Sequence, residues 1–319
     1  MTRRGLLLLL QAQAPAARPV DKATVERWMK ELSNWGRWGA ADQKGTMNLI
    51  TPATRKRAAA LVKDGVAVSL SRAMDTRKAV DNAWPFGHEM VEHGQVANPM
   101  FTGDTYTIRF HGAGMTHLDS QSHVIYGGKL YNGYSKNEVG PGGANQLAVT
   151  AYQDGFFGRG ILMDIPRLKG VKYLEISTPI YPEDLDAWEK KAGIRVGSGD
   201  FVFVRTGRWA RRAEKGPWDT DAASAGLHVS CARWFKQRDV AVIGSDVHAE
   251  LMPSPVPGIP YPMHQLFVVA MGMPMFDNCD LEALGEAAAA RGRWEFLLTA
   301  APLVVPKGTG SPVNPVAVF

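Results

Sequence analysis

Apolar residues in this chain gather in short runs separated by polar stretches that carry glycine and proline, the pattern of strands alternating with helices. The runs Val66–Leu70, Ile161–Asp164, Phe201–Arg205, Val240–Gly244 and Trp294–Thr299 predict short strands, and Thr105–His111 alternates in strand fashion. Helices are predicted over Asp21–Leu32, with Asp21 as N-cap, and from Thr51 and Pro52 to about Lys63, with Gly65 closing the second. Pro182–Ala192 and His228–Gln237 also read as helices, and Asp280 caps one that runs through Ala290 and ends at Gly292. From Asp75 to Asp104 no period holds, which predicts a long loop region of the kind that often carries function. The alternation places the chain in the α/β class, with spacing too irregular for a plain doubly wound sheet. No repeat and no linker divides it, so residues 19–319 are expected to form one domain.

Composition changes this picture little. At 319 residues and 45% hydrophobic content the chain can bury a sizeable core. The net charge of +5 is scattered apart from Arg55-Lys56-Arg57 and the cluster between Arg208 and Arg212, and no nucleic-acid motif accompanies it, so no nucleic-acid partner is expected. Residues 1–18 read as an export signal, with Arg3-Arg4, the leucines Leu6–Leu10 and Ala12-Gln13-Ala14 as a cleavage site, which predicts a periplasmic or secreted protein. No later stretch approaches the ~20 apolar residues of a membrane span. Cys231 and Cys279 make no C-x-x-C pair and are expected to be free thiols.

The chemistry concentrates between His111 and His123, where three of eight histidines crowd around Asp119. Neutral imidazole and carboxylate are usual ligands for zinc or manganese. On a strand, His117 and Asp119 point to one face about 6.6 Å apart, within reach of one ion. His123 would lie roughly 13 Å beyond Asp119 on an extended chain, so the strand is expected to break near Ser120 into a turn or short helix that returns it. No G-x-S-x-G elbow appears and neither cysteine has a catalytic signature, which leaves acyl-enzyme chemistry without support.

At this motif the chain resembles the cyclase-like metal-dependent hydrolases, which include bacterial kynurenine formamidases, isatin hydrolase and a trans-dienelactone hydrolase. Their signature is H-x-G-T-H-x-D-x-P-x-H, and Thr116-His117-x-Asp119-x-x-x-His123 matches its second half. Asn34-Trp35-Gly36-Arg37-Trp38-Gly39, Gly45-Thr46-Met47-Asn48, Tyr131-Asn132-Gly133, Arg205-Thr206-Gly207, Gly244-Ser245-Asp246 and Gly308-Thr309-Gly310-Ser311-Pro312 follow the family's order, so the likeness spans roughly residues 34 to 318. The resemblance implies a single swivelling β/α/β domain of the cyclase/kynurenine formamidase type, a homodimer, and one or two divalent ions, zinc or manganese. It further implies hydrolysis of a small cyclic or aromatic amide, lactam, ester or lactone through an activated water. By the same likeness His117, Asp119, His123, His264 and Asp277 are the metal ligands, with His123 as the group that shuttles a proton. Asp277 stands where relatives carry a glutamate.

Two positions depart from the signature, whose first histidine falls on Ala113 and whose proline falls on Gln121. A methyl group binds no metal. His111 lies two residues earlier, roughly 20 Å from His117 on an extended chain, although Gly112 and Gly114 allow it to fold back. A supporting or substrate-facing role is expected for His111, with a water in the vacant ligand position. His248, Trp35 and Trp38 are expected to support the site or meet substrate, the tryptophans together with Trp84 and Phe86 lining an aromatic pocket. The rival readings are a metal-binding protein without catalysis, suggested by Ala113 and Asp277, and an isomerising or redox enzyme on the same metal frame.

Overall fold

Nine strands, numbered along the chain, form the main sheet of the computed structural model, which describes residues 17–319. They are β1 (Ala67–Ser69), β2 (His117–Asp119), β3 (Phe156–Asp164), β4 (Phe201–Arg205), β5 (Val242–Ser245), β6 (Met275–Asp277), β7 (Glu295–Ala300), β8 (Gly310–Pro312) and β9 (Val316–Val318). Their order in the sheet is β1-β9-β7-β3-β4-β5-β6-β2-β8. The four central strands β3 to β6 run parallel, and every pairing outside them is antiparallel.

Parallel strands are covered on both faces, which is why Ile161–Met163 of β3 and Phe201–Val204 of β4 read as continuous apolar runs rather than alternations. Successive residues enter two different cores. Ile161, Met163, Val202, Val204, Ile243 and Met275 face helices Lys22–Glu31, Pro182–Ala192 and Cys231–Gln237 and the apolar segment Pro262–Met271. Leu162, Phe201, Phe203, Val242 and Phe276 meet Tyr152, Phe156, Phe296, Phe319 and helix Glu282–Arg291 on the other side. Gly160 and Gly244 let this second core close, because the rings of Phe296 and Phe203 occupy the space their Cβ atoms would need.

Most predicted elements form where the sequence placed them, with edges that differ. Asp21 caps its helix through the Thr24 amide at 2.7 Å, Pro182–Ala192 matches its prediction, and Gly292 closes Glu282–Arg291 in the left-handed conformation. The helix opened by Thr51 and Pro52 stops at Ala59 rather than Lys63. That predicted over His228–Gln237 begins only at Cys231, since His228 is used otherwise: its ring nitrogens face Ser230 Oγ and the Arg18 carbonyl. The expected loop over residues 75–104 contains half of a β-hairpin, Gly87–Glu92 paired with Gly103–Thr107. Both faces of Gly87–Glu92 are largely exposed, so no hydrophobic alternation revealed it. The strand expected to run to His111 accordingly ends at Thr107. Cys231 and Cys279 are free and buried. Among the described residues no helix is long and apolar enough to cross a membrane. The export segment falls almost wholly outside the described residues.

Candidate metal centre

The register of the sheet assembles the first donors. The antiparallel pairing of β2 with β6 sets Asp277 opposite His117 and Met275 opposite Asp119, so His117, Asp119 and Asp277 share a face at the carboxyl end of the parallel strands. Crevices beyond the carboxyl ends of parallel strands are where open α/β sheets place ligands. In His117, Nδ1 faces the Met115 carbonyl at 2.9 Å, and since a carbonyl only accepts, Nδ1 carries the proton of the neutral ring. Its Nε2 is left as a bare lone pair 3.5 Å from Asp119 Oδ1.

His264 is oriented in the same manner from the opposite side. It ends the short turn of helix Pro262–His264, where its backbone amide and its Nδ1 donate to Glu250 Oε1 at 2.8 and 3.0 Å. Its Nε2 then stands 3.4 Å from Asp277 Oδ2 and 3.9 Å from Asp119 Oδ2. An outer carboxylate that fixes the tautomer of an inward imidazole is the usual support of a metal-binding histidine. Burial opposes protonation of His264, but Asp277 and Glu250 outweigh it and hold its pKa well above the ordinary imidazole value. Two buried carboxylates thus call for positive charge between them.

His123 reaches the cluster through the expected turn. Its amide bonds to the Ser120 carbonyl at 3.0 Å, and the Ser120 amide and hydroxyl both donate to the Thr309 carbonyl, so the chain doubles back directly after β2. His123 Nε2 then lies 3.8 Å from Asp119 Oδ2. Gln121, in place of the signature proline, donates to the Gly272 carbonyl at 2.9 Å and anchors the turn. Burial pushes the His123 imidazole down to about 4, against the pull of Asp119 and with His111, His264 and His117 adding to it. Burial alone would raise the Asp119 carboxyl, but the imidazoles of His123, His111 and His117 reverse the sign and hold it well below the usual carboxylate range.

These groups form the floor of a cavity of about 280 Å³. Trp84, Tyr261, His248 and Asn278 stand in its walls. Of the four aromatic residues expected at the pocket only Trp84 lines it, which corrects the expectation for Trp35, Trp38 and Phe86. Trp35 binds the Val269 carbonyl through Nε1 and lines a separate groove, Trp38 lies under the Arg37 guanidinium, and Phe86 packs on Tyr106 of the hairpin. His248 does line the cavity, and its Nε2 donates to the Thr220 carbonyl at 3.1 Å. His111 enters as well, with Nδ1 2.9 Å from Asp119 Oδ1.

A divalent cation fits this donor set. Asp119 Oδ1, Asp277 Oδ1 and His111 Nδ1 are buried without a hydrogen-bond partner, a rare state for polar atoms. Ligand atoms of His111, His117 and Asp119 lie within 4.8 Å of one another, and those of Asp119, His264 and Asp277 do the same. Among the described residues no lysine or arginine lines the cavity to supply the missing charge.

Sequence reasoning missed Glu250, Asn278 and Arg208. Glu250, in His248-Ala249-Glu250, has no spacing relation to His264, so only the fold discloses the pair. Asn278, at φ 55°, bonds the Gly112 carbonyl through its side chain at 2.7 Å, and its own carbonyl accepts from Thr116 Oγ1 at 2.8 Å. Arg208, buried at the start of helix Arg208–Lys215, donates to the Ala113 carbonyl at 2.7 Å and also contacts Asn278 Oδ1.

Residues 51–249, more than half of the chain, match the family described as "Putative cyclase". Among solved structures, a novel cyclase superposes with a TM-score of 0.81 at 29% identity, covering 91% of this chain and 98% of its own. Isatin hydrolase A from Labrenzia aggregata, bound to benzyl benzoate, superposes at 0.56 with 20% identity over 82% of this chain and 96% of its own. An isatin hydrolase bound to the product analogue thioisatinate gives 0.57 at 18% identity, over 83% of this chain and 95% of its own. These last two likenesses are of fold. No protein of curated function matches.

Proposed function

We propose, from the premise that this chain belongs to the cyclase family, that it is a metal-dependent hydrolase of small cyclic or aromatic amides, lactams, esters or lactones. The observation that carries the reading is the convergence of His117, Asp119, His264 and Asp277 on the floor of one cavity, with Asp119 Oδ1 and Asp277 Oδ1 buried and unpaired. A divalent ion bound there, zinc or manganese, would supply a lowered water pKa and a polarised carbonyl. His123, at the edge of the cluster and 32% exposed, is neutral at neutral pH and free to accept a proton. It takes the proton from the water that adds to the carbonyl carbon and returns it to the nitrogen or oxygen that leaves as the C–N or C–O bond breaks. Trp84 and Tyr261 line the cavity where an aromatic substrate would sit, and Asn278 holds the Gly112 carbonyl at the cavity wall.

The test is hydrolysis of isatin and a panel of aromatic lactams, esters and lactones by protein as purified, stripped by chelator, and reloaded with zinc or manganese. Activity should vanish on stripping and return on reloading, with one oxygen of labelled water in the product. Hydrolysis that survives complete removal of metal, or a metal-loaded protein inert to the whole panel, would overturn the reading.

A further inference from the structure

We infer that His111 supplies the metal ligand that Ala113 cannot, so that His111, His117 and Asp119 form one donor group and Asp119 joins it to His264 and Asp277. The inference rests on the metal-dependent reading above and changes which residue completes the site.

The contact between His111 and Asp119 is the first observation. Nδ1 and Oδ1 approach to 2.9 Å, yet the ring hydrogen is not aligned between them and both atoms remain without a hydrogen-bond partner. Two buried polar atoms this close and unaligned leave their bonding capacity directed at a third point. His117 Nε2, whose lone pair is bare, stands 3.5 Å from the same carboxylate oxygen. One ion can therefore meet all three.

The ring of His111 is also held for that role. Its Nε2 lies 3.1 Å from Thr309 Oγ1, which fixes the orientation of Nδ1. Its plane stacks on His123 at 3.7 Å between centroids and 3° between planes, while its edge meets His117 at 5.4 Å. Gly310, paired with Asp119 across β8 and β2, makes room for it: a Cβ there would stand 2.9 Å from His111 Cε1. A glycine facing a metal-directed histidine ring is a cradle that a side chain would fill.

The backbone explains why residue 111 and not 113 arrives. Asn278 Nδ2 holds the Gly112 carbonyl at 2.7 Å and Arg208 Nη2 holds the Ala113 carbonyl at 2.7 Å. Both carbonyls are engaged at the cavity wall, the chain turns back between His111 and His117, and the six-residue separation that spans roughly 20 Å when extended collapses to ring contact.

Metal titration of the full-length metal-free protein with Zn2+ and Mn2+ by calorimetry, on the wild type, His117→Ala, His111→Ala, His111→Gln and Thr309→Val, separates the possibilities. His111→Gln serves if the alanine variant fails to fold, because its amide can still bond Thr309 but is a poor metal donor. The expected result is a loss of affinity for the His111 variants as large as that for His117→Ala, with Thr309→Val confined to the ~10–100-fold range of an outer partner. Loading with Co2+ should show a visible absorption band changed by loss of one imidazole in His111→Ala. A His111 loss no larger than that of Thr309→Val, with His117→Ala severely impaired, overturns the assignment of His111 alone. Wild-type affinity in His117→Ala as well overturns the metal reading itself.

Discussion

Asp119 and Asp246 are both fully buried carboxylates just beyond or within strands of one sheet, and their oxygens are satisfied differently. Asp246, directly after β5, accepts the Thr206 amide on both oxygens at 2.9 Å, the Thr206 hydroxyl at 2.8 Å, and the Gly207 and Arg208 amides at 2.8 and 3.2 Å. Its charge also lies at the start of helix Arg208–Lys215, where a negative group is favoured. Asp119 Oδ1 has no hydrogen-bond partner, and the Nε2 atoms of His123 and His264 stand 3.8 and 3.9 Å from Oδ2. Burial is common to the two residues. Unused bonding capacity belongs to one of them, and it separates a carboxylate that ties strands together from one that waits for a cation.

The contrast is broken or sharpened by removing each residue in turn. Asp246→Ala should cost about 3 kcal/mol or more of folding stability, since each buried amide left unpaired costs ~1–3 kcal/mol. Urea unfolding of the metal-free protein reads this directly, and stability within ~1 kcal/mol of wild type would remove the structural role. Asp119→Ala should do the reverse. Its metal affinity should drop by more than the ~10–100-fold typical of an outer partner, while metal-free stability changes little. A variant that unfolds without binding loss would make the two residues alike and end the comparison.

Glu250→Gln should have a smaller effect, a ~10–100-fold loss of metal affinity by calorimetry, because Glu250 acts on the ion only through the ring of His264. The mildest effect is that of pH. Metal must displace the proton that His264 holds between Asp277 and Glu250, so affinity should fall about tenfold per pH unit lowered for each proton released. The sign for the metal-free protein is opposite. A folded pKa raised above the unfolded value of about 6.5 gives stability that is present below that pH and lost as pH rises through the folded value. Unfolding midpoints of the metal-free chain should therefore decline toward alkaline pH, a trend that bound metal abolishes.

The sequence disclosed the candidate donors that share local spacing. His117 and Asp119 are two apart on a strand, and His123 needs only a turn at Ser120, so period and reach sufficed. His264 and Asp277 were accessible only through family likeness, because the register of β6 against β2 brings them to Asp119 from far along the chain. Helix Pro262–Met271, which carries His264, escaped because Leu266–Met271 is apolar on every side and buried throughout, which leaves no period to detect. The closeness of His111 to Asp119 was hidden for a different reason. Extended-chain reach placed it far from His117, whereas the Asn278 and Arg208 clamps on Gly112 and Ala113 fold it onto Asp119. Interactions made by a neighbouring strand end are invisible in the segment they bend.

The central claim, that the Asp119 cluster holds a divalent ion, is tested most directly by diffraction from zinc-loaded crystals on both sides of the zinc absorption edge. The expected result is an anomalous peak about 2.0–2.2 Å from His117 Nε2 and from a carboxylate oxygen of Asp119. Strong zinc peaks elsewhere, with His117 and Asp119 in direct contact and no ion between them, would contradict it.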